Sequence, residues 1–232
     1  MNHEVTMIRA GLRTPRAAAI AGILFAVLLV TGFLLIRMSV PADPLDAGAW
    51  LKTEAGTVAL ALNLVPFAGI AFLWFIGVLR DRLAEREDRV FATVFLGSGL
   101  LFLAMLFASA AVIGGIVIAY SADSTALLHS ATFAFGRAVT FEIMNIYAIK
   151  MAAVFMISTC TLAIRTGFIA RWLALVGYGL ALLLLLSSRY IGWIILVFPL
   201  WILLISIHIL IDNLGSAGAL RGRDGASGVA VS

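Results

Sequence analysis

The sequence predicts an all-α, polytopic integral membrane protein, a bundle of six transmembrane helices. Three observations predict it. The 232 residues are 63% hydrophobic and only 12% charged, against about 25% charged residues in a soluble domain. Six apolar runs of near-membrane length follow one another, separated by short polar segments. The basic residues crowd onto alternate segments, as the enrichment of Lys and Arg in cytoplasmic loops requires. The net charge of +4 is spread over these loops and forms no patch interleaved with exposed aromatics. It therefore points to topology, with the lipid bilayer as partner and no nucleic acid.

The N-terminal segment, residues 1–16, is polar and holds Arg9, Arg13 and Arg16; the apolar run after it makes span one, about 17–38. Twenty residues rising 1.5 Å each cross about 30 Å of hydrocarbon. A basic segment before an apolar run also describes a secretory signal, with Val40-Pro41-Ala42 as a small-residue cleavage site. The run is long for a signal and ends on Arg37, which favours an uncleaved anchor. Pro41, Pro44, Asp43, Asp46 and Glu54 then break the chain into a loop, and Trp50 suits an interface. Span two, 57–79, contains Asn63 three residues before Pro66. The proline withholds one backbone donor, and Asn63 either serves the freed backbone or a neighbouring helix, or lines a polar path.

Residues 80–90 are the most charged stretch, with Glu85 and Arg89 at the i,i+4 spacing of an ion pair on a short solvated helix. Span three, 91–118, exceeds one bilayer thickness, which implies tilt, a break or an extension. In 120–138, Asp123 or Ser124 caps a short helix reaching His129, which lies along the surface or prolongs the next span outward. Span four is 139–163; spans five, 172–187, and six, 191–211, are joined by Ser187-Ser188-Arg189-Tyr190 and must be antiparallel neighbours. The tail, 213–232, is polar and glycine-rich and is expected to be disordered.

Span four carries the candidate site. Glu142 falls near one interface and Lys150 close to mid-bilayer, where a charge costs roughly 2.5–3.5 kcal/mol and normally faces protein or water. Glu142 and Asn145 share a helix face, whereas Lys150 lies about 12 Å further along and about 80° round, so the two charges form no tight pair. Arg137 is within reach of Glu142; Lys150 needs a backbone carbonyl, Asn63, Tyr147, a lipid phosphate or a deprotonated state, since burial disfavours the charged form of a lysine. Two readings stand. Either Glu142, Asn145 and Lys150, with Asn63, line a polar pocket or ion pathway, or Lys150 snorkels while Glu142 orients the helix at the interface. No catalytic residue, metal or cofactor is expected. There is no HExxH, GxSxG or phosphate-binding glycine loop, and His3, His129 and His208 stand on distant segments. Cys160 is the one cysteine and is read as a packing residue.

With the N-terminus inside, Arg9, Arg13, Arg16, Arg80, Arg82, Arg86, Arg89, Arg165, Arg171, Arg221 and Arg223 are cytoplasmic, against Arg37, Lys52, Arg137 and Arg189 outside. Both termini are thus expected in the cytoplasm. The turn Arg165-Thr166-Gly167-Phe168-Ile169-Ala170-Arg171-Trp172-Leu173 resembles the connection before the penultimate spans in a broad group of bacterial multi-pass membrane proteins described as domains of unknown function. Arg13 to Gly22 is similar as well, although members often have proline where this chain has Ala170. The resemblance implies a six-helix fold in a bacterial inner membrane and no mechanism. The expected function is non-enzymatic, an interaction or accessory protein acting with a membrane-protein partner or a second copy. A small transporter or channel using span four is the alternative, since three spans per half suit an inverted repeat, although Pro66 and Pro199 fall in non-equivalent spans.

Overall fold

The computed structural model describes residues 2–43, 46–83, 89–167, 169–186 and 193–227. Every regular element among them is helical: α1 (Asn2–Ser39), α2 (Leu51–Leu83), α3 (Arg89–Ala122), α4 (Ser124–Leu128), α5 (Ala131–Glu142), α6 (Ile149–Thr166), α7 (Arg171–Leu186) and α8 (Val197–Ser227). A π-helical segment, Ile143–Ala148, joins α5 to α6 without a break. The chain is a membrane-embedded helical bundle. Five stretches are long and apolar enough to cross a bilayer, namely Arg16–Ser39, Leu51–Arg80, Ala92–Ala122, Ala131–Thr166 and Ile194–Asn213. The sixth expected span, α7, is apolar and has 16 residues among those described, roughly 24 Å.

Neighbouring helices run antiparallel, because residue numbers rise along one as they fall along the next. Phe25 meets Phe72 and Gly32 faces Ala61 between α1 and α2. Gly69 meets Phe107 and Gly99 meets Ile76 between α2 and α3. Thr161 pairs with Tyr178, and Lys150 with Leu185, between α6 and α7. The order of contact is α7, α6, α3, α2, α1, α8, and α8 returns to touch α6 and α7. The fourth stretch is the most enclosed, 61% of its apolar window being buried against 33% for the first, so the helix carrying the candidate residues is the central one.

Lipid chains are as apolar as leucine, so close fit rather than water exclusion holds membrane helices together. The fit is visible at two glycines. A Cβ on Gly22 would collide with Ser206 Oγ, and one on Gly177 with Cys160 Sγ and Trp201 Nε1. Cys160 is accordingly a buried packing residue. Between these contacts lies a phenylalanine cluster drawn from five helices: Phe25, Phe72, Phe102, Phe155 and Phe198, with Phe95 stacked on Phe155 at 4.8 Å. Each favourable ring pair adds about 0.5–1.5 kcal/mol beyond its buried area.

The segment 120–138 holds the expected short helix capped by Asp123 and a second capped helix that prolongs span four outward. Asp123 Oδ1 accepts from Ala126 N at 3.0 Å to start α4, and Ser130 Oγ accepts from Phe133 N at 3.2 Å to start α5. The second cap lets the apolar run from Ala131 continue into span four, which therefore begins at Ala131 and not at 139. Span three is one unbroken helix of 34 residues. The tail expected to be disordered from residue 213 carries helical backbone to Ser227. The Glu85–Arg89 pair, Pro44 and the Ser187–Tyr190 connection lie outside the residues whose structure is described. Gly167, at φ 73°, ends α6 in the left-handed conformation that glycine adopts without strain, its N–H on Ala163 O. Ala170 N then donates to His208 Nε2 at 3.4 Å, tying the basic turn to α8.

Candidate functional site

At the end of the bundle that carries α4, the helices enclose a cavity of about 210 Å³. Its walls come from the last turns of α1, the 40–42 connection, α2, α3, α5, the π segment and residues 193–196 ahead of α8. Val65, Leu106 and Met144 make it mostly apolar, while Arg37, Ser109, Arg137, Thr140 and Asn145 supply polar atoms. The phenylalanine cluster lies one to two turns further along the same helices: Phe102 is four residues before Leu106, and Phe72 seven after Val65.

Arg137 is the dominant group. Its side chain is 93% buried, its Nη2 donating to Pro41 O at 3.1 Å and Asp43 O at 2.8 Å. The guanidinium also stands 5.5 Å from the Trp50 ring centre, in the range of a cation–π contact. Asp43 and Asp46 act on it electrostatically. One side chain thus fastens the α1–α2 connection onto α5. Its Nε, however, has no hydrogen-bond partner, and neither has the hydroxyl of Thr140 one turn further on. Buried polar atoms are nearly always satisfied, and these two belong to residues that line the same cavity. Arg37, half-buried across the cavity, lies 5.5 Å from the Trp193 ring centre.

The π segment explains how Asn145 comes to the cavity. Asn145 Nδ2 donates to Phe141 O at 3.0 Å, taking up an oxygen that an α-helix would give to its own backbone N–H. Such back-bonding competes with the helical ladder and bends it. The chain widens for a turn and then tightens, with Ile149 N–H on Ile146 O. One extra residue in a turn rotates everything after it by roughly 100° relative to a continuous helix. The angular relation expected between Glu142 and Lys150 for an ideal helix does not hold through such a segment.

Of the four candidate residues, only Asn145 lines the cavity. Glu142 is half-buried beside it and is not part of the wall. Lys150 Nζ donates to Leu185 O at 3.0 Å, in the last described turn of α7. A backbone carbonyl, one kind of partner it needed, is thus among its partners. Asn63 stands on the exposed face of α2 together with Pro66 and Phe67, whereas Leu62 and Val65 line the cavity. The polar pocket expected from these four therefore does not assemble. Arg37, Thr140 and Trp193 were missed as site residues because each looks like a boundary residue on its own segment. The available signal was Arg137, an arginine held six residues inside an apolar run that starts at Ala131.

Among the described residues no three His, Cys, Asp or Glu side chains come together as a metal site. Comparison with protein-family models, with curated proteins and with solved structures gives no match.

Proposed function

We infer that the protein is a non-enzymatic membrane protein that binds a ligand in this one-ended cavity and acts as a receptor-like or accessory subunit. The observation that carries the reading is the pairing of unsatisfied polar atoms, Arg137 Nε and Thr140 Oγ1, with an apolar chamber. Ligand pockets are characteristically apolar hollows with a few placed polar groups. The phenylalanine cluster beyond the chamber favours binding over conduction, since a channel or transporter needs a polar route onward. The charge bias and the resemblance to bacterial multi-pass proteins support a bacterial inner membrane with both termini cytoplasmic, so the cavity faces the periplasmic side. Asn63, polar on a lipid-facing surface, supports contact with a membrane-protein partner or a second copy.

The test is thiol labelling of an Asn145→Cys variant in a Cys160→Ala background, using a membrane-impermeant reagent on sealed vesicles of either orientation. Labelling from the periplasmic face alone is expected. Labelling from both faces would overturn the one-ended reading in favour of a through path.

A further inference from the structure

We propose that the ligand of this cavity is an amphipathic anion, a carboxylate or phosphate head on an acyl or alkyl chain, held by Arg137, Thr140 and Arg37. The proposal rests on the one-ended binding reading and adds the chemistry of the occupant.

The head group follows from the donors. Arg137 Nε and Thr140 Oγ1 are both buried and unsatisfied, and a guanidinium nitrogen can only donate. Both atoms sit just behind the wall with almost no accessible surface, so a small shift of the side chain brings them to a ligand, and a ligand atom that Nε then faces must be an acceptor. Among the described residues no aspartate or glutamate is part of the cavity wall, whereas two guanidinium groups are. Asp43 and Asp46 offset part of the Arg137 charge from outside the wall, and Arg37, set over the Trp193 ring, is the second cation that faces the cavity. In a medium of low dielectric that charge favours an ionised acceptor over a neutral one. Carboxylates and phosphates are the oxygen anions whose geometry suits arginine.

The chain follows from the rest of the wall. Phe33, Leu62, Val65, Leu106 and Met144 offer no hydrogen bonds, so a small hydrated anion would lose its water without replacement over most of its surface. The volume of about 210 Å³ exceeds the roughly 150 Å³ that accommodates benzene, which leaves room for a head group and the first carbons of a chain.

The experiment uses the full chain in nanodiscs of neutral lipid and reads saturable binding of four probes: dodecanoate, dodecyl phosphate, dodecanol and inorganic phosphate. Wild type is compared with Thr140→Val, which is isosteric, and with Arg37→Gln, so that a folding defect at Arg137 does not enter. Non-specific partitioning into lipid is the same for all three proteins and cancels in the comparison. Saturable binding of dodecanoate or dodecyl phosphate is expected, weakened about tenfold or more in each variant. Dodecanol binding as tightly as the anions would overturn the anionic head while leaving the cavity reading in place. Inorganic phosphate binding equally well would overturn the chain. Absence of saturable binding by all four would overturn both the proposal and the reading beneath it.

Discussion

Lys150 Nζ donates to Leu185 O and ties α6 to the last described turn of α7. Removing one partner of a partly buried hydrogen bond costs about 1–3 kcal/mol. Lys150→Met is therefore expected to destabilise the protein by about 1–2 kcal/mol. It should speed hydrogen exchange at the end of α7, with Lys150→Arg largely retaining protection. Asp123 gives a prediction of the opposite charge. Its hydrogen bonds from the Ala126 N–H and the Thr125 hydroxyl hold its carboxyl below the usual carboxylate range. A depressed acid contributes its stabilisation fully above the unfolded value and loses it as pH falls through the folded one. Protection of the Ala126 amide, its exchange relative to the intrinsic rate at each pH, should thus fall as the solution is acidified below the ordinary aspartate range, and an Asp123→Ala variant should lose that pH dependence of protection. The Asp123 cap was legible in the sequence, because Asx residues ahead of a short apolar turn have few other roles. The partner of Lys150 was not, since a backbone carbonyl thirty-five residues away leaves no trace in side-chain type.

The helix from α5 through α6 shows which features of an element a sequence exposes. Its apolar length follows from composition, but its start depends on Ser130 capping the chain at Phe133, and its middle depends on a π segment. Periodicity arguments assume 3.6 residues per turn throughout, so they placed Glu142, Asn145 and Lys150 by angles that the π segment does not preserve. Asn63 is the contrary case. The burial pattern of α2, with Ala61, Val65, Ala68, Phe72, Phe75 and Leu79 inside and Asn63, Pro66, Phe67, Ile70 and Trp74 outside, follows ordinary helical spacing, and reading it would have kept Asn63 out of the site. A π segment equals one inserted residue, so its removal should restore a plain α-helix with both flanks in register. Deleting Tyr147, which is 58% exposed, is expected to leave a folded, monodisperse protein with a near-normal melting temperature. Deleting the buried Ala152 should shift every residue after it by one position and abolish folding. Comparable behaviour of the two deletions, measured by thermal melting in detergent, would contradict the inserted-residue account.

At the scale of the whole molecule, bilayer thickness made the spans legible, since about 20 apolar residues are needed for each crossing. Among the described residues five of the expected spans have that length, and Lys150 meets α7 in its last described turn. The cavity was not legible, because its described walls are drawn from five separate stretches of chain and only the packed bundle brings Arg37, Arg137, Thr140 and Asn145 to one place. The one-ended reading rests on the same bundle: five helices meet in the phenylalanine cluster, and the void lies beyond it. The measurement that tests this most directly is native mass spectrometry of the protein released from its own membranes in a neutral detergent. The account predicts a stoichiometric adduct with the mass of an acyl carboxylate or phosphate, absent from a Thr140→Val, Arg37→Gln double variant. A bare wild-type protein, or adducts retained equally by the double variant, would contradict it.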